Sequence, residues 1–228
     1  NYDHGEEEAW FRLFQTFCTQ KQDTVPGRLG IIGATPMESG TIRTGLLKKQ
    51  AEAYVTQHLP FAKQFVLYSM DGSLEDIKNA SSCEHNLVIS AQGLKTAEYL
   101  REKFHIPYSV GFPFLPTNVV ENAASFRRRK ILILHSQFAA NELKNRLDAS
   151  NTVHCKTWFS FAPAYADASD GVLAGEDDFC ALLEKENYDV VIADEEILPL
   201  LKVLSFEGEF VDYPEFAVSG RLLESADV

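Results

Sequence analysis

No apolar run in this chain approaches the roughly 18–20 residues that a membrane-spanning helix needs, so no membrane span is expected. The start lacks the basic, apolar and small-residue order of a signal peptide, and a cytoplasmic protein is expected. Positive charge is short: 21 Lys and Arg stand against 33 Asp and Glu, a net charge of −12. A phosphate backbone needs a positive footprint, so nucleic acid is not an expected partner. The one basic run, Arg127-Arg128-Arg129-Lys130, abuts an apolar strand pattern and reads as a solvated helix end and linker. Cysteine is sparse. Cys18, Cys83, Cys155 and Cys180 lie far apart, with no C-x-x-C pair. A zinc or iron–sulfur site built from local sequence is therefore unsupported, and neither a metal nor a cofactor is expected within this chain. The first residue is Asn1 rather than Met, so a processed chain or a piece of a longer protein is expected.

Phosphate-loop glycines are also missing. Gly33, Gly40 and Gly45 occur in GATPMESGTIRTG, which fits neither G-x-G-x-x-G nor the P-loop spacing. No serine nucleophile elbow is present.

What is present is alternation of strand and helix signals. Residues 3–20 read as a helix with an apolar stripe of Trp10, Phe11, Leu13, Phe14 and Phe17. Pro26-Gly27 breaks the chain. Strands are expected at Leu29–Ile32, Lys63–Tyr68, Asn86–Ile89 and Pro107–Val110. Helices are expected at Thr41–Gln57, Glu75–Ala80 and Gln92–Phe104, with Ser73 as the cap of the second. After a connecting helix at Thr117–Arg129 the pattern repeats. Strands are expected at Lys130–Leu134, Val153–Trp158, Asp189–Ala193 and Glu209–Asp212. Helices are expected at Gln137–Ala149, Glu176–Glu186 and Ile197–Leu204, with Phe159–Gly175 irregular. The fold class is α/β: two Rossmann-like units with four-stranded parallel sheets flanked by helices. The expected division is a leading helix over 1–24, a first unit over 25–116 and a second over 117–228. Ligands of such sheets sit at the carboxyl ends of strands, and a cleft between two units is a common place for them.

Those strand ends name the candidate residues. Gly33 ends the first strand. Ser90, Gln92 and Gly93 follow the strand NLVI. His135 follows Ile131–Leu134, a position from which an imidazole ligates a metal or moves a proton; a hydrogen-bonded loop histidine is the simpler alternative. Asp194-Glu195-Glu196 ends the strand VVIA, where capping of the next helix is the simpler role.

Several stretches together resemble the nitrogenase component 1 superfamily, which includes the catalytic subunits, the cofactor scaffold proteins and the related tetrapyrrole reductases. They are YSMDGSLEDIKNASSCEHNLVIS, AEYLREKFHIPY and FPFLPT, with GRLGIIGATP and DVVIADEEILPLL as weaker companions. The resemblance implies that the chain holds the second and third Rossmann-like domains of such a protein, with residues 1–24 leading out of a missing first domain. It implies an oxidoreductase component that receives electrons from a partner ATP-dependent iron–sulfur reductase and pairs with a homologous subunit or with itself. An iron–sulfur cluster would belong to the full-length protein, on cysteines outside this chain. Where the molybdenum-type subunit carries a cofactor-ligating cysteine at the end of the N-L-[IV] strand, this chain has Ser90, and a hydroxyl is a poor substitute for thiolate toward soft iron. The reaction implied is therefore not dinitrogen reduction, but work on an organic or metal-complex substrate held between the domains, with Gly33, Ser90, Gln92, Gly93 and His135 as candidate lining. The alternative is a non-catalytic scaffold or a tetrapyrrole- or metal-complex-binding module. A generic sugar- or nucleotide-binding protein is a third reading, and it lacks its phosphate loop.

Overall fold

A computed structural model of the chain describes residues 2–40, 42 and 44–222. The chain divides into two compact units, Asn1–Phe114 and Leu115–Val228.

The first unit runs α1 (Tyr2–Phe17), β1 (Arg28–Ile32), α2 (Pro36–Ser39), α3 (Thr44–His58), β2 (Gln64–Leu67), α4 (Leu74–Lys78), β3 (His85–Val88), α5 (Leu94–Phe104) and β4 (Tyr108–Val110). Its four strands are all parallel, in the order β2-β1-β3-β4. The second runs α6 (Thr117–Ala123), β5 (Lys130–Leu134), α7 (Gln137–Arg146), β6 (Thr152–Thr157), β7 (Gly171–Val172), α8 (Glu176–Lys185), β8 (Val190–Ala193), α9 (Leu198–Val203), β9 (Glu209–Asp212) and α10 (Phe216–Ser219). Its five strands are parallel in the order β7-β6-β5-β8-β9. The α/β class with helix-flanked parallel sheets is thus the observed one. Among the described residues no helix is long and apolar enough to cross a membrane.

Local chemistry accounts for these elements. The inner strands β5 and β8 carry unbroken aliphatic runs because both their faces are covered; Ile131–Leu134 and Val190–Ala193 are all buried. In α5, Thr96, Ala97, Leu100 and Phe104 form the buried stripe. That helix stops where His105 turns left-handed at φ 61° and returns its N–H to Arg101. Helix α4 opens on a capping box: Asp76 N–H donates to Ser73 Oγ (3.1 Å) and Ser73 N–H donates to Asp76 Oδ2 (3.2 Å).

Four expectations need correction. The second sheet has five strands, because the stretch expected to be irregular contributes the two-residue edge strand β7, paired to Lys156 and Thr157. The connecting helix ends at Ala123 instead of Arg129. Phe126 turns into the core there, Arg127 donates to the carbonyls of Ala124 and Phe126, and Arg128 adopts φ 56°. The apolar stripe of α1 is not buried as a whole. Phe14 is covered, edge-on to Tyr68 at 4.9 Å, whereas Leu13 and Phe17 each stay 37% exposed. The helix expected from Thr41 begins at Thr44, Thr41 itself lying outside the described residues. A separate turn, α2, precedes it with Pro36 in its first turn, where a missing N–H costs nothing.

Candidate functional site

Strand order decides which loops meet. In the first sheet the chain crosses from one side of β1 to the other, so the loops after β1 and β3 diverge at a topological switch point. Gly33 and Ser90 stand there. The Ser90 hydroxyl is buried and donates to the Gly33 carbonyl at 2.9 Å. Gly33 has φ +101°, and a Cβ on it would meet Ser90 Oγ at 2.4 Å. Gly93 packs on the same spot: a Cβ there would lie 3.0 Å from the Ile32 carbonyl oxygen and 3.1 Å from Gly33 Cα. Gln92 is buried beside it. The structure therefore brings Gly33, Ser90 and Gly93 into direct contact, backbone against backbone, through the small size of the two glycines.

The turn after β1 is already supplied with an anion. The Glu6 carboxylate of α1 accepts from Met37 N–H at 3.2 Å, in the first turn of α2, whose cap is Thr35. Burial pushes the Glu6 carboxyl up, against the opposing pull of the Thr35 hydroxyl and the Met37 amide. In a nucleotide-binding unit a phosphate would approach this turn.

The switch point of the second sheet falls between β5 and β8. His135 follows β5 and Asp194 follows β8, and both are buried. The ring of His135 stacks on Tyr213, centroids 3.9 Å apart and planes inclined by 22°. Its Nδ1 accepts from Ser136 N–H at 2.9 Å. Its Nε2 lies 3.2 Å from the Pro214 carbonyl, which can only accept, so Nε2 carries the hydrogen. Burial lowers the imidazole pKa to about 4, against smaller opposing effects of the Pro214 carbonyl and the Asp194 charge. The ring is neutral at pH 7 and committed at both nitrogens. Glu215, also buried, places Oε1 3.8 Å from Nδ1.

Asp194 caps the turn after β8, accepting from Glu196 N–H at 3.1 Å. It also holds the segment beyond β9, accepting from Glu215 N–H at 2.8 Å and from the Ser219 hydroxyl at 2.6 Å. Burial raises its pKa. The Ser219 and backbone hydrogen bonds and the Arg221 charge outweigh that, and the net shift is downward. Arg221 grips Asp212 with two bonds, at 2.9 and 2.6 Å, and reaches Glu195 at 2.9 Å and Asp194 at 3.3 Å. Residues 213–221 are thus fastened over the carboxyl edge of β5 and β8. Across that edge Gln137 accepts from Ala162 N–H (2.7 Å) and donates to the carbonyls of Ala162 (3.0 Å) and Tyr165 (3.3 Å), pinning the long loop that precedes β7.

His135 lies in the second unit, and the other four sequence candidates lie in the first. Sequence reasoning missed Tyr213, Glu215, Ser219 and Arg221. The available signal was parallelism: every strand of a parallel sheet ends at one edge, so the residues after β9 share that edge with His135.

The thiols do not suit an iron–sulfur cluster. All four cysteines are free and lie two to a unit, Cys18 and Cys83 in the first and Cys155 and Cys180 in the second, short of the four thiolates a cluster takes. Among the described residues no three His, Cys, Asp or Glu side chains converge as a metal site.

No family model matches the chain, and no curated protein matches it. Among solved structures it is similar to one titled "Nitrogenase Cp1 at pH 6.5", with a TM-score of 0.62 and 10% identity, over 93% of this chain and 58% of that one. The likeness is one of fold. This chain spans a little under three-fifths of that nitrogenase chain. A second structure, "CobK precorrin-6A reductase", aligns with a TM-score of 0.34 at 12% identity, over 87% of this chain and 91% of that one; a superposition so loose carries no argument.

Proposed function

We propose that this chain is a substrate-holding module of a nitrogenase-like oxidoreductase. It holds an organic or metal-complex substrate at the carboxyl ends of its strands and works with a partner ATP-dependent iron–sulfur reductase and a homologous subunit or second copy. The observation that carries this reading is the nitrogenase-type fold along 93% of the chain, joined to the sequence resemblance centred on Tyr68–Ser90. Dinitrogen is not its substrate, because Ser90 stands where a thiolate would be needed and spends its proton on Gly33. The described thiols do not fit a cluster, so cluster ligands belong to other residues or another chain.

The second reading is a scaffold that binds a tetrapyrrole or metal complex without turnover, supported by the lack, among the described residues, of three His, Cys, Asp or Glu side chains that converge. Anaerobic expression of the full-length protein separates the two, with iron and sulfide analysis, an EPR spectrum after dithionite reduction, and titration with protoporphyrin IX followed in the Soret region. A stoichiometric cluster signal supports the oxidoreductase. Folded, iron-free protein that binds the porphyrin supports the scaffold. Folded protein with neither property overturns both.

A further inference from the structure

Helix α1, the Tyr68–Ser73 turn and helix α4 enclose an open groove of about 380 Å³ in the first unit. Its apolar lining is Trp10, Leu13, Tyr68, Met70, Leu74 and Ile77, and no charged side chain lines it. Met70 is 71% exposed and Leu74 43%, large values for apolar side chains on one face. Scattered exposed hydrophobics need no explanation, but several gathered on one groove mark an interaction site. The groove is also pre-formed. Phe14 packs edge-on against Tyr68, whose hydroxyl lies 3.6 Å from Cys83 Sγ, and the Ser73–Asp76 capping box fixes the start of α4. Trp and Tyr on a rigid floor beside an adaptable Met is a composition typical of binding hot spots.

Charge decides the occupant. The lip made by the turn and α4 carries the exposed Asp71 and Glu75 and the half-buried Asp76, and its one cation, Lys78, is paired with Glu75 at 3.3 Å. Asp71 and Asp76, with Lys48 of α3, also line the hollow of about 280 Å³ on the other side of the same turn. We propose that the groove receives one face of a basic amphipathic helix from a partner protein. Apolar side chains at i, i+3 or i+4, and i+7 enter between Trp10 and Met70, and flanking Lys or Arg side chains meet the acidic lip. This proposal is independent of the redox reading, since it uses none of Gly33, Ser90, Gln92, Gly93 and His135.

The test uses Trp10 as the reporter. The chain has two tryptophans, so Trp158→Phe leaves Trp10 alone. The probe is a Leu/Lys amphipathic helical peptide, with a Leu/Glu peptide of the same length and pattern as control. The Leu/Lys peptide is expected to shift Trp10 emission to the blue and the control is not. Met70→Ser with Leu74→Ser should weaken binding roughly tenfold, and so should Asp71→Asn with Glu75→Gln. All four positions are exposed, and circular dichroism verifies that each variant folds. Equal binding of both peptides, an unmoved Trp10 spectrum at saturation, or unchanged affinity in the Met70/Leu74 variant overturns the proposal. Concentration-dependent self-association that buries Trp10 without peptide also overturns it and assigns the groove to a second copy.

Discussion

The imidazole of His135 lies flat on the phenol ring of Tyr213, its Nε2–H given to the carbonyl of the very next residue, Pro214. Two residues nearly eighty positions apart thus form one buried wall at the carboxyl edge of the second sheet. A protonated ring is disfavoured there, because the loss of hydration outweighs the pull of the Pro214 carbonyl and the Asp194 charge.

Stability should therefore depend on this histidine at mildly acidic pH. Its folded pKa, about 4, lies below the ordinary 6.5, so the unfolded chain binds the proton first. The contribution is fully present above pH 6.5 and is lost as pH falls toward 4, by roughly 3 kcal/mol. Urea unfolding of the wild type and of His135→Phe across that window checks this. The difference between the two curves should show the slope, and parallel curves would refute it.

Arg221 should act as the latch of residues 213–221. Arg221→Met removes the paired bonds to Asp212 and leaves Asp194 and Glu195 without their cation. A loss of about 1–3 kcal/mol is expected, with partial recovery in Arg221→Lys, which cannot form the fork. The checks are denaturant melts together with carbethoxylation of His135. The modification should run faster in Arg221→Met at concentrations of denaturant where the protein stays folded.

Gly33 and Ser90 form a coupled pair. Gly33→Ala should destabilise by about 2 kcal/mol or more, through both its positive φ and the 2.4 Å approach to Ser90 Oγ. Ser90→Ala alone should cost about 1 kcal/mol. The double variant should lose less than the two single losses together, because the second change relieves the steric part of the first. Strict additivity in thermal melts would mean that the contact does not matter.

Thiol reactivity should be selective. Cys18, Cys83 and Cys155 are buried with raised pKa values, and Cys180 is half-buried. With a disulfide reagent under native conditions Cys180 should react first, and Cys180→Ser should abolish the fast phase. The remaining thiols should titrate only on unfolding.

Much of this molecule could be read before its structure. Lys130–Leu134 and Glu209–Asp212 were legible as strands to the residue, since apolar runs bounded by polar residues report burial directly. The cap at Ser73 was legible because a capping box is a local hydrogen-bond pattern. Strand β7 was not. It is two residues long, and only its pairing with Lys156 and Thr157 makes it a strand. The length of α6 was not legible either, because it ends where Phe126 finds the core instead of at a helix-breaking residue.

The candidate site divides in the same way. His135 could be placed at a strand end from sequence alone, as could Ser90 and Gly33. That Ser90 turns its proton on Gly33, that Glu6 meets the turn after β1, and that Tyr213, Glu215 and Arg221 close over His135 could not. By itself the sequence determined the alternation of elements, their caps and the α/β class, because these follow from propensity and burial within a few residues. The tertiary structure decided which strands are neighbours, and hence which loops share an edge. That choice rests on hydrogen bonding and packing between segments many residues apart, whose pairing no local pattern encodes.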